Sequence, residues 1–276
     1  MIAAALALAA SVVWGFGDFV GGVKARALPA LEVMAYSQPF GLVLLVIAVA
    51  ARGEGPPGAA VLWACLAALL GTIGLAAFYR GLATGAMSVV APIAGAAAVI
   101  PIAIGLASGE HPGALAELGF VLAIGGVALT SRERVADRTK LARGAAWGLV
   151  ALVAFGGFYV PMRTASQADV LWATLVFRIT SVALVWTCML LLRRRAGVGS
   201  QHLVALAAVG ILDTAGNVLF AAAAAEGLVS VVSVLASLYP VVTALLARMA
   251  LRERITRSQE VGVVVTIAGA ALVATG

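Results

Sequence analysis

The chain has 276 residues, of which 63% are hydrophobic and 11% charged, and its mean hydropathy is +1.10. That balance lies far outside the range of soluble domains and leaves almost nothing from which to build one. The net charge of +6 is gathered between apolar runs, which argues for membrane topology and against nucleic acid.

Apolar runs recur along the whole length, each long enough as a helix to cross a ~30 Å hydrocarbon core. In chain order they predict helices near 2–22, 31–51, 60–80, 88–107, 113–131, 144–163, 170–192, 203–223, 229–249 and 258–275. The first is read as a span and not a signal peptide. No basic segment precedes it, and the apolar run continues through Trp14 to Gly22. The expected fold class is therefore an all-α integral membrane protein of ten transmembrane helices.

Between these helices, Lys24, Arg26, Arg80, Arg132, Arg134, Arg138, Lys140, Arg143, Arg193, Arg194, Arg195, Arg248, Arg252, Arg254 and Arg257 all follow odd-numbered spans. Only Arg52 and Arg163 lie at the other side, with Arg178 left in mid-helix. By the positive-inside rule the odd loops are cytoplasmic and both termini face out.

The second half of the chain repeats the first. Gly85-Ala-Met-Ser88-Val-Val returns as Gly227-Leu-Val-Ser230-Val-Val, and at the same offset Gly74 falls on Gly216 and Phe78 on Phe220. Glu110-x8-Gly119-x6-Gly126 returns with identical spacing as Glu253-x8-Gly262-x6-Gly269. The expected domains are a first repeat over 1–131, a charged linker over 132–143 and a second repeat over 144–276. Five helices per repeat, an odd number, insert the second copy upside down, and such inverted repeats place a binding site where the halves meet. Pro39, Pro92, Pro101, Pro161 and Pro240 interrupt spans, each kinking its helix for packing or for a wet cavity. Gly17-x3-Gly21 and Gly144-x3-Gly148 let neighbouring helices approach closely. Cys65 and Cys188 fall inside spans and read as small buried hydrophobes, not as a disulfide or metal pair.

Each copy opens on an aromatic-Gly pattern, Trp14-Gly15-x3-Phe19-x4-Lys24 and Phe155-Gly156 running to Arg163, and closes on Glu-x8-Gly-x6-Gly. With Glu253-Arg254-Ile255-Thr256 and the second-helix Arg178, this ordered set resembles the EamA family of the drug/metabolite transporter superfamily over nearly the whole chain. The first copy departs from the pattern, with Ser37 where the second has Arg178. The resemblance implies two inverted five-helix repeats around a central cavity, lined mainly by the first four helices of each. It also implies export or exchange of small metabolites.

Asp18 is the sharpest candidate for chemistry. It lies six residues before Lys24, hence inside the membrane, where a carboxylate costs about 2.5–3.5 kcal/mol on insertion scales and usually faces a cavity or partner. Trp14 is one turn earlier on the same face, and a ring beside an acid suits a cationic or protonatable group. Burial favours the neutral form of a carboxyl, so Asp18 is a candidate proton carrier, and Asp213 is the second. The alternative for Asp18 is simple pairing with Lys24 or another base near the interface. Asp213, Asn217 and Phe220 share one helical face, while Arg178 lies in a polar stripe with Thr174 and Ser181. Opposite charges at matching depth predict an Arg178–Asp213 ion pair, with direct contact to substrate as the alternative. Tyr36, Gln38, Tyr79 and Tyr239 complete the candidate binding residues, although tyrosines near span ends are often interface anchors. Ser88 and Ser230 read first as helix N-caps, and Glu110 and Glu253 as structural signatures.

No P-loop, no GxSxG elbow and no His/Asp/Glu cluster with metal-ligand spacing occurs. The expectation is a non-enzymatic, cofactor-free and metal-free secondary transporter of the inner (cytoplasmic) membrane, working as a monomer. It would export a small polar metabolite, an amino acid or related amine, by alternating access with or without proton coupling. The alternatives are uptake, export of a hydrophobic cation or drug, and a non-transporting lipid-handling or scaffold protein.

Overall fold

A computed structural model describes the chain apart from residues 59, 85–89, 91–92, 131–137, 195–196 and 252–256. Ser88, Pro92, Glu253 and the loop residues Arg132, Arg134, Arg195, Arg252 and Arg254 therefore lie outside the described residues. Every regular element among those described is helical. In chain order they are α1 (Ile2–Ala25), α2 (Ala30–Arg52), α3 (Ala60–Thr84), a 3₁₀ turn (Ala96–Ala98) leading into α4 (Val99–Ala107), α5 (Ala114–Thr130) and α6 (Arg138–Ser166). Then come α7 (Val170–Leu191), α8 (Ser200–Glu226), α9 (Val229–Ala236), α10 (Tyr239–Leu251) and α11 (Arg257–Thr275).

Local chemistry sets the ends. Gly53 closes α2 in the left-handed conformation at φ 69°, which a residue without Cβ adopts at no steric cost. Asp169 opens α7 by accepting a hydrogen bond from the Trp172 backbone N–H at 2.8 Å. The helix α6 begins at Arg138, inside the stretch expected as linker.

Six helices (α1, α2, α3, the part of α6 from Ala142, α7 and α8) are long and apolar enough to cross a membrane. Four shorter apolar stretches, Ile93–Ala107, Ala114–Leu129, Val229–Thr243 and Glu260–Thr275, fall at the remaining predicted spans. Exposed apolar side chains such as Val43, Ile47, Val121, Leu190 and Val204 clothe the outside, as a lipid-facing surface requires. Cys188 belongs to that surface and is exposed, which corrects the expectation that both cysteines are buried. Cys65 is half-buried with its Sγ 3.4 Å from the Thr180 hydroxyl.

The two halves are interleaved by the residues that repeat. Gly15 of α1 lies against the start of α10, where an added Cβ would sit 3.0 Å from the Tyr239 carbonyl and 2.7 Å from Val242 Cγ1. Gly156 of α6 lies the same way against the first half, 2.7 Å from the Ala97 carbonyl and 2.8 Å from Ile100 Cβ. The glycine of each aromatic-Gly pattern is thus where one repeat receives the interrupted helix of the other. The closing glycines pair α5 with α11: a Cβ at Gly119 would meet the Gly269 carbonyl at 2.8 Å.

Both interruptions fall at corresponding positions. The first half is broken by the 3₁₀ turn at Ala96–Ala98, the second at Ser237–Leu238 between α9 and α10. The continuous helix expected over 229–249 is therefore two helices, because Pro240 supplies no N–H and starts α10 instead of kinking a longer span. Ser230 is not the N-cap of α9, a place held by Leu228. The first N–H groups of α9 are satisfied from the other repeat by Glu110, which accepts from Val229 N at 2.7 Å, Ser230 N at 3.0 Å and Ser230 Oγ at 2.6 Å.

Candidate functional site

One cavity in the middle of the bundle draws on α1, α2, α3, α6, α7, α8 and α10. Its walls are Trp14, Asp18, Gln38, Gly71, Thr72, Leu75, Phe155, Phe158, Tyr159, Phe177, Arg178, Ser181, Asp213, Asn217 and Tyr239. It has room for water-sized molecules over about 60 Å³, enough for a few waters or one small polar group.

Helical periodicity decides which side chains reach it. On α7, Phe177, Arg178 and Ser181 fall on one inward face. Arg178 is 1% exposed and donates from Nη2 to Asp213 Oδ2 at 2.6 Å, so the two opposite charges on consecutive helices form the expected pair. The remaining Arg178 donors, Nε and Nη1, are buried without a partner among the described residues. On α8, Asp213 and Asn217 point the same way one turn apart, and Gly216 and Phe220 make the bed for Trp14. The Trp14 and Phe220 rings stack at 5.8 Å and 30°.

A polar chain crosses the cavity wall from α3 through α7 to α2. Thr72 Oγ1 donates to Ser181 Oγ at 2.8 Å, and Ser181 Oγ donates to Gln38 Oε1 at 3.0 Å. Opposite it, Tyr159 hydrogen-bonds Ser237 at 2.7 Å beside the α9–α10 break. The Tyr239 hydroxyl, just beyond that break, is buried without a partner among the described residues. Asp18 is half-buried in the wall, and its pairing with Lys24 does not form, since Lys24 reaches His202 Nδ1 at 3.4 Å instead.

Of the residues singled out in the sequence, Trp14, Asp18, Gln38, Arg178, Asp213, Asn217 and Tyr239 meet at this cavity. Tyr36 and Tyr79 do not. Tyr36 packs edge-on against Trp186 at 6.1 Å, and Tyr79 is 2% exposed in an apolar cluster with its hydroxyl over Gly21. Tyr36 sits on a face of α2 turned away from Gln38, whereas Tyr79 continues the Thr72–Leu75 face of α3 one turn beyond the cavity. The sequence reading missed Thr72, Phe158, Tyr159 and Phe177. Thr72 and Phe177 stand directly beside Gly71 and Arg178 in the chain, a weak signal; for Phe158 and Tyr159 there was none beyond the aromatic run around Gly156.

The EamA-like transporter family matches residues 1–132 and 142–275 of this chain, once in each half. A solved crystal structure of a protein aligns with a TM-score of 0.81 at 18% identity, over 99% of this chain and 98% of its own, so the fold is shared from end to end. No curated protein matches the sequence.

Proposed function

Because the chain belongs to the EamA-like transporter family and is thereby a multi-pass membrane transporter of the drug/metabolite type, we propose that it exports a small polar metabolite bearing an amine, such as an amino acid. The observation that carries this reading is the charge set at the central cavity: two carboxylates, Asp18 and Asp213, against one guanidinium, Arg178, with two unpartnered Arg178 donors. A second positive charge balances that set, either a proton on Asp18 or a substrate ammonium, and the free N–H groups of Arg178 suit a carboxylate. Proton and amine then compete for one acid, which is the arrangement of a proton-coupled exchanger.

The four shorter apolar stretches complete ten spans in two inverted repeats, and the paired interruptions flank the site as in carriers built from inverted repeats. The basic loops face the cytoplasm of the inner membrane and the termini face out. One chain holds both halves of the pathway, so the unit of transport is the monomer. The substrate contacts are Trp14, Asp18, Gln38, Arg178, Asp213, Asn217 and Tyr239.

A second reading, export of a hydrophobic cation, draws on the aromatic walls (Trp14, Phe155, Phe158, Tyr159, Phe177) around Asp18, the acid not paired with Arg178. Flux of labelled amino acids and of a lipophilic cation from proteoliposomes, with and without a pH gradient, separates the two. Amino-acid flux that follows the gradient and is lost in Asp18→Asn supports the first. Cation flux alone sinks it.

A further inference from the structure

A second cavity, about 350 Å³, lies apart from the central one between the ends of α2, α3 and α7 and the early turns of α6. Its walls include Glu32, Arg80, Trp147 and Arg194, with Ile73 and Leu192 among its apolar lining. We propose that this cleft is a phospholipid site selective for a headgroup carrying both a phosphate and a primary ammonium, as in phosphatidylethanolamine.

Three observations converge. The cleft opens sideways to lipid, since Ile73, Val150 and Leu192, all in its wall, are 44%, 43% and 63% exposed on the outside of the bundle. It sits at the helix ends, where headgroups lie: Arg80 is four residues before the end of α3 at Thr84, Arg194 just follows α7 and Glu32 is in the first turn of α2. Neither Arg80, Arg194 nor Glu32 has an ion pair with another described residue, so each charged side chain at the mouth retains its capacity for a ligand.

The charges choose among lipids. Two guanidiniums beside an apolar trough suit a phosphate above acyl chains, as basic pockets between helices do. Glu32 in the same mouth opposes a purely anionic headgroup and favours one that also brings a cation. A primary ammonium donates N–H bonds to that carboxylate, which a quaternary choline, lacking N–H, does not. Trp147, in the wall, places an amphipathic ring at the interface level and supplies a built-in reporter.

Nothing here depends on what the central cavity carries, and the test does not read transport. The full-length protein is reconstituted in brominated phosphatidylcholine, which quenches tryptophan, and unbrominated phosphatidylethanolamine, phosphatidylglycerol or phosphatidylcholine is added in increasing proportion. The Trp147 signal is taken as the difference between wild type and Trp147→Phe, because the chain has five tryptophans. The expected result is that phosphatidylethanolamine restores Trp147 fluorescence about two- to fivefold more effectively than phosphatidylcholine, the scale of a charge pair at a solvated edge. Glu32→Gln should erase that preference, and Arg80→Ala with Arg194→Ala should weaken displacement by every phospholipid. These substitutions are at the bundle rim, and monodispersity in detergent checks that each variant folds. Equal displacement by all three lipids, preference for phosphatidylglycerol, or a selectivity that persists in Trp147→Phe would each overturn the proposal.

Discussion

Arg178 and Asp213 meet at 2.6 Å in the middle of the bundle, the guanidinium 1% exposed and the carboxylate 24% exposed on the cavity side. The asymmetry has a direct consequence, because only Arg178 depends on its partner for charge compensation. Asp213→Ala should destabilise the protein by about 3–5 kcal/mol by stranding a buried cation, while a paired apolar replacement, Arg178→Met with Asp213→Leu, should recover most of that loss. Thermal unfolding in detergent, followed by intrinsic fluorescence, compares the two. If the single variant melts with wild type, the pair is not structural.

Asp18 has no hydrogen bond or ion pair among the described residues to lose. Asp18→Asn should therefore leave the melting temperature within the ±0.5 kcal/mol of an ordinary neutral change, while removing the response of transport to a pH gradient. Flux in proteoliposomes that still follows the gradient would take Asp18 out of the coupling step.

Glu110 holds three hydrogen bonds to the start of α9 from the other repeat. Glu110→Ala should cost about 1–3 kcal/mol, the range for stripping a charged partner from a helix N-terminus, and Glu110→Gln less. Hydrogen exchange of the first α9 amides reads the effect locally, with protection of α5 as the internal control.

Gly15 and Gly55 predict opposite tolerance of one added methyl. At Gly15 the new Cβ would stand 2.5 Å from Val242 Cβ, which forces α1 and α10 apart, whereas Gly55 has open space. Gly15→Ala should lower stability by about 1–3 kcal/mol through overpacking and Gly55→Ala by little or nothing. Expression level and melting temperature of the two variants decide it.

Asp169 caps α7 and receives Arg52 at 2.8 Å, joining the end of α2 to the start of α7. Its partial burial favours the protonated form, but the Trp172 N–H and Arg52 outweigh that and hold its carboxyl below the ordinary value. A group depressed in the folded state contributes stability that is fully present above the ordinary value and is lost as pH falls through the folded one. Wild type should thus lose this contribution only in strong acid, and Asp169→Asn should flatten that part of the acid limb while leaving the melting temperature between pH 5 and 7 nearly level. Melting curves against pH, with the pair partly exposed and its effect correspondingly modest, show whether the limb moves.

Much of the architecture is legible in the chain because it is written twice. The recurrence of Trp14-Gly15 as Phe155-Gly156, and of the Glu-x8-Gly-x6-Gly ending, announces two copies, and a mid-membrane charge such as Arg178 or Asp213 is too costly to lack a partner. The direction of each side chain is another matter. In a soluble helix the apolar stripe marks the buried face, but lipid is as apolar as a protein core, so a helix such as α2 or α3 carries no such mark. Only the packing of α2 against α7 and α8, and of α3 against α6 and α7, turned Gln38 and Thr72 inward while sending Tyr36 to Trp186 and burying Tyr79 under Gly21. The same holds for the start of α9, whose first N–H groups are satisfied by Glu110 reaching across from the other half. Identity and duplication are properties of the linear chain; which face of an all-apolar helix sees the cavity is fixed by its neighbours, and only the assembled bundle supplies them.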